Sequence, residues 1–183
     1  GMNGLDAEGF TSNGIREGSH EGSLAPAQDF AFTGRIDYDM PFVPGLLIGG
    51  SGWVGNSGQG TAYSSQRYGL QALSVLTQLY EGHIQWRWRG LEMRALGAVG
   101  SIGNAAQLSA AKGETIGSQN YGWYTELAYN LMPVLWPENT HYLAPFFRYE
   151  AYNTLAQVPT GFTNYGGLYD RWIYQAGLTY KPI

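Results

Sequence analysis

The feature that most constrains this chain is a strict alternation of apolar and polar side chains in runs of about ten residues. Between 30 and 40, Phe30, Phe32, Ile36, Tyr38 and Met40 share one face with Gly34, while Thr33, Arg35, Asp37 and Asp39 take the other. A period of two belongs to a strand and cannot hold a stripe on a helix. The alternation returns in 77–89, where Tyr80, Ile84, Trp86 and Trp88 oppose Glu81, His83, Gln85, Arg87 and Arg89. In 91–100, Leu91, Met93, Ala95 and Val99 oppose Glu92 and Arg94. In 121–132, Trp123, Thr125, Leu127, Tyr129 and Leu131 oppose Tyr124, Glu126 and Asn130. In 141–152, Leu143, Phe147, Tyr149 and Ala151 oppose Phe146, Arg148, Glu150 and Tyr152. In 171–181, Trp172, Tyr174, Ala176, Leu178 and Tyr180 oppose Arg171, Gln175, Thr179 and Lys181. With a Gly-rich strand over 46–55, this predicts an all-β chain: an antiparallel up-and-down meander of seven strands.

The connections carry a second pattern. Pro41-Phe42-Val43-Pro44-Gly45, Arg89-Gly90 and a Pro-bounded 133–140 read as short turns. Residues 56–75, 101–120 and 153–170 read as long polar links, the second containing one or two helical turns capped by Asn104. Residues 1–29, rich in Gly, Ser, Glu and Asn, read as a loop or tail ahead of a β segment over 30–183. Short and long links in turn, on strands long enough to cross a bilayer at a tilt, predict part of a transmembrane β-barrel. Aromatic rings on the apolar face support this. Tyr38, Trp88, Tyr129 and Tyr180 lie near the short-turn end, and Phe30, Trp123 and Trp172 near the other. Two such belts around an aliphatic band are expected where rings meet membrane interfaces.

Composition narrows the function classes. Charged residues are only 13% of the chain, about half the usual share. The net charge of −4, with two lysines in all, argues against nucleic-acid binding. Without cysteine, disulfides, Cys-zinc sites and thiol nucleophiles are excluded. No run of about 18 apolar residues exists for a transmembrane helix. Gly1-Met2 reads as an addition ahead of the natural start, so the absence of a signal peptide says little about export.

The polar face holds the candidate functional residues. Arg35, Asp37, Asp39, Glu81, His83, Arg87, Arg89, Glu92, Arg94, Glu126, Arg148, Glu150 and Lys181 are expected to line a watery lumen, because charge on a hydrocarbon-facing surface is costly. Inter-strand ion pairing is the plainer role for the same residues. Gly50-Ser51-Gly52-Trp53-Val54-Gly55 spells a dinucleotide-binding pattern, but a loop-like Asn56-Ser57-Gly58 follows where a helix is needed. His20, His83 and His141 are far apart, and Asp37 with Asp39 reads as structural, so neither metal nor cofactor is expected. No nucleophile-elbow or paired-His motif points to an enzyme.

Several stretches together resemble the carboxy-terminal half of Gram-negative outer-membrane porins of the phosphate-selective porin O/P-like group. They are Gly34-Arg35-Ile36-Asp37-Tyr38-Asp39, Gly45-Leu46, Trp86-Arg87-Trp88-Arg89-Gly90-Leu91-Glu92-Met93-Arg94-Ala95, Tyr121-Gly122-Trp123-Tyr124, Pro145-Phe146-Phe147-Arg148-Tyr149-Glu150 and Gly177-Leu178-Thr179-Tyr180-Lys181-Pro182-Ile183. The resemblance implies an outer-membrane barrel, usually trimeric, in contact with outer-membrane lipid and passing small hydrophilic solutes or anions by passive diffusion. Two lysines in all depart from the lysine-rich constrictions of phosphate-selective members. An odd strand count predicts a fragment whose barrel needs further strands. The other function class is a soluble small barrel. Seven or eight strands suffice to close one, burying Phe32, Ile36, Trp86, Trp88, Leu127, Phe147, Tyr174 and Leu178 around an apolar ligand.

Overall fold

In the computed structural model, which describes residues 3–22, 28–165 and 167–182, the alternating runs become one antiparallel sheet. The elements are β1 (Ala31–Asp39), β2 (Leu46–Asn56), β3 (Ala62–Ser65), β4 (Gly69–Ala72), β5 (Leu76–Trp88), β6 (Leu91–Ile102), α1 (Ala105–Lys112), β7 (Gln119–Tyr129), α2 (Met132–Leu135), β8 (Tyr142–Gln157) and β9 (Asp170–Lys181). The large sheet runs in the order β1-β2-β5-β6-β7-β8-β9, and β3 and β4 pair as a separate hairpin. Neighbours in space are therefore neighbours in sequence, apart from the hairpin inserted between β2 and β5.

The register keeps the two faces unmixed. Ile48 pairs with Ile84, Ile84 with Ala95, and Ala95 with Thr125, whereas Gln85 pairs with Arg94 and Arg94 with Glu126. A slip of one residue at any pairing would carry a charged row onto the apolar face. That apolar face is bare: Phe32 and Ile36 are each 79% exposed and Tyr174 67%. Leu127, Phe147 and Leu178 are exposed as well. The sheet does not close, β1 and β9 being its edges, so the small barrel wrapped around these side chains is not formed.

The buried core lies elsewhere, at the end of the sheet that carries the long links. Phe10, Tyr63, Leu73, Val75, Ile102, Leu108 and Ile116 form one apolar cluster, drawn from the N-terminal segment, the β3–β4 hairpin, the β5 and β6 ends and α1. The segment expected as a loop or tail thus packs: it carries two 3-10 turns, Ala7–Gly9 and Arg16–Gly22, and buries Ala7 and Phe10 completely.

Other local expectations are refined. The 56–75 link contains the β3–β4 hairpin. The 130–141 link, holding α2, is as long as the 158–169 link, so the short–long contrast holds at the first two pairs of links and fails at the third. Arg89 and Gly90 form the tight turn with φ of 48° and 87°, the positive pair a two-residue hairpin requires. α1 forms where expected, but the Asn104 side chain donates to the Ser74 carbonyl at 2.8 Å and makes no cap bond. The Gly50–Gly55 run lies inside β2 and enters no helix.

Candidate functional site

The polar face carries two chains of ionisable side chains. In the first, Arg35 Nε donates to Asp37 at 2.8 Å, and Asp37 faces His83 Nε2 at 2.9 Å. His83 Nδ1 in turn faces Glu81 at 2.9 Å, and Arg35 Nη2 lies 3.0 Å from Nε2. The His83 ring is nearly buried among these groups. The second chain crosses four strands. Glu92 stands between Arg87 at 3.8 Å and Arg94 at 3.6 Å, and Glu126 between Arg94 at 3.7 Å and Arg148 at 3.9 Å. Arg148 then holds Glu150 through two donors, at 2.8 and 3.0 Å. The Tyr142 hydroxyl donates to Glu92, and the Arg148 guanidinium lies 3.8 Å over the Tyr124 ring.

Cross-strand neighbours of opposite sign explain the order. Glu92 and Glu126 each sit between two guanidiniums, Arg94 and Arg148 each between two carboxylates, and Arg87 and Glu150 end the row. The wide, partly exposed contacts are each worth little, but the row fixes which charge faces which.

Of the residues expected on this face, Arg35, Asp37, Asp39, Glu81, His83, Arg87, Glu92, Arg94, Glu126, Arg148, Glu150 and Lys181 share it by strand parity and register. Lys181 lies 5.1 Å over the Tyr142 ring. Arg89 is the correction. The turn's positive φ takes it out of strand geometry, and its guanidinium sits 5.0 Å over Trp88, a ring of the apolar face. Among the described residues no group of three His, Asp or Glu side chains could hold a metal ion.

The face is capped at its long-link end, which sequence reading missed. Ser12 is the hub: its amide and hydroxyl donate to Glu114 at 2.7 and 2.5 Å, and its carbonyl accepts from Thr154 at 2.7 Å. Its Oγ accepts from Tyr169 at 2.8 Å. Burial works to raise the Glu114 pKa, but the two Ser12 hydrogen bonds and the Lys112 charge bring it below the ordinary value. Burial, with the charges of Asp6 and Glu8, pushes Tyr63 under the cap up to about 12. The hairpin tip reaches the 158–169 link, with the Arg67 guanidinium 3.3 Å from where a Gly161 side chain would begin. Beneath residues 11–17 lie two clefts, one apolar, under Ile15 and over Trp53, Leu79 and Leu96, the other charged.

On the opposite face the rings have a definite placement. Tyr38 shares a register row with Ile48, Ile84, Ala95, Thr125, Tyr149 and Tyr174. Trp88 and Tyr129 stand four residues past that row toward the short-link end, and Tyr180 six. Phe30 stands eight residues on the other side, and Trp123 and Trp172 two.

Comparison with known proteins adds little to this geometry. No family model matches the chain, and no solved structure matches it. It is 27% identical over 191 residues to a protein of Aquifex aeolicus (strain VF5) described as uncharacterized. The match covers 100% of this chain and 41% of that relative, so the chain spans less than half the relative's length.

Proposed function

We propose that this chain forms part of the wall of an outer-membrane β-barrel, its apolar face against lipid and its charged face lining an aqueous passage for small hydrophilic solutes. The drift of the two ring belts carries the reading. From β1 to β9 the short-link belt moves six residues, from Tyr38 to Tyr180, against the register row. The other belt moves six as well, from Phe30 to Trp172. At about 3.3 Å per residue and about 4.8 Å between strands, six residues over six strand steps are about 20 Å against about 29 Å. Level belts therefore require strands tilted by about 35°, within the roughly 35–45° of membrane barrels. Along β1 and β9 the belts are eight residues apart, about 26 Å of strand and about 22 Å along the normal at that tilt. The apolar band of such barrels is about 25 Å tall.

Other observations fit. A bare apolar face of this extent is a liability in water and an asset in lipid. A sheet left open, with β1 and β9 at its edges, asks for further strands, because only a closed sheet satisfies its backbone in a bilayer. No helix among the described residues is long and apolar enough to cross a membrane, so the strands are what would cross it. Reconstitution into planar bilayers tests the reading. It predicts stepwise ion conductance from correctly inserted protein; insertion with no conductance contradicts it.

A further inference from the structure

We infer that the charged cleft beneath residues 11–17 is a binding site for small zwitterionic solutes on their way along the polar face. The inference deepens the proposed function and rests on it, since it takes this face as the wet one.

The observation is a contrast in pairing. Along the two chains every guanidinium has a carboxylate within 4 Å, and every carboxylate has a guanidinium or, for Glu81, the His83 ring. The cleft, of about 570 Å³, is lined by Arg16, Glu17, Glu150, Tyr152, Tyr169 and Arg171, with small polar residues of the 11–14 turn. Among the described residues Arg16, Glu17 and Arg171 have no ion-pair partner, and Arg148 holds Glu150 through one of its two carboxylate oxygens.

The cap brings these charges together. Arg16 and Glu17 come from the N-terminal segment, pinned over the sheet by Ser12, whereas Glu150 and Arg171 stand on β8 and β9. A pocket of both signs whose members leave one another unpaired suits a solute that brings both signs itself. The solute carboxylate goes to the guanidiniums and its ammonium to Glu17 and the free oxygen of Glu150, each a charge-assisted bond. A solute of one sign leaves half of these groups unanswered.

Isothermal titration of the whole chain, refolded in detergent micelles, tests this with three probes of one carbon skeleton: β-alanine, propionate and propylammonium. Losing a charge-assisted contact costs about tenfold or more in affinity. The expected result is β-alanine bound at least about tenfold more tightly than either single-charge probe. Arg171→Gln should narrow its lead over propylammonium, and Glu17→Gln its lead over propionate, both with unchanged strand signal in circular dichroism. Equal affinity for all three probes, or no binding by folded protein, overturns the inference. Binding without conductance would instead sink the passage reading, and conductance without binding only the site.

Discussion

Asp37 and His83 meet at 2.9 Å although the whole of β2 runs between their strands. Gly49 makes the contact possible. It is the β2 residue paired with both, and a Cβ there would overlap the Asp37 carboxylate and stand 2.6 Å from the His83 ring. Gly49→Val should therefore sever the pair and leave a nearly buried imidazole short of one partner, a loss of about 1–3 kcal/mol. Chemical denaturation in micelles checks this. A midpoint equal to that of the parent protein would show that the pair does not need the gap.

The Ser12 hub gives a prediction with a pH sign. Ser12→Ala removes the hydroxyl bonds to Glu114 and Tyr169 while the backbone ones stay, and should loosen the cap, read as faster hydrogen exchange over residues 11–17 with the β5–β8 amides unchanged. Because the folded Glu114 pKa is lowered, its contribution is present above the ordinary Glu range and disappears as pH falls through the lowered value. Acid should thus loosen the cap only below ordinary Glu titration, and Glu114→Gln should remove that pH step. A step at neutral pH, or one that survives Glu114→Gln, would be inconsistent with this assignment.

Glu126 is the centre of the second charge chain. Glu126→Gln should cost no more than about 1 kcal/mol, because its contacts are wide and partly open to solvent. Glu126→Lys places a third cation between Arg94 and Arg148 and should cost more than Glu126→Gln. It should also shift reversal potentials in a salt gradient toward anions. Equal effects of the two substitutions would show that charge order does not matter here.

The β5–β6 turn separates backbone from side-chain effects. Gly90 at φ 87° has no room in conformational space for a branched residue. Gly90→Val should lower stability by more than about 1 kcal/mol, while Arg89→Asn, suited to the same turn type, should leave it unchanged or higher. Equilibrium unfolding of the two variants would refute this if their order were reversed.

Six of the seven strands were legible in the sequence because each repeats its alternation for several periods, the Gly-rich β2 without it from its place between a Pro-Gly turn and a polar link, and Arg89-Gly90 because two-residue hairpins admit few residue pairs. The cap was not. Phe10, Leu73, Val75 and Ile116 come from segments without periodicity, and β3 and β4 are four residues each, too short to display a period. The members of the charged face were readable by parity, but their order was not. That Glu126 stands between Arg94 and Arg148, or that Gly49 lets Asp37 through to His83, depends on register. Arg89 was misplaced because alternation was carried one residue past the strand's end. Asn104 was read as a cap from its type alone, and the nearby Ser74 carbonyl captured its side chain.

The central claim is that one face of this sheet meets lipid and the other does not. Trp123 and Trp53 sit on the opposite faces of neighbouring parts of the sheet. Single-tryptophan variants retaining one or the other, reconstituted in bilayers of lipids brominated along the acyl chain, measure the claim directly. The account predicts strong quenching of Trp123 and little of Trp53; equal quenching of both, or none of Trp123, would contradict it.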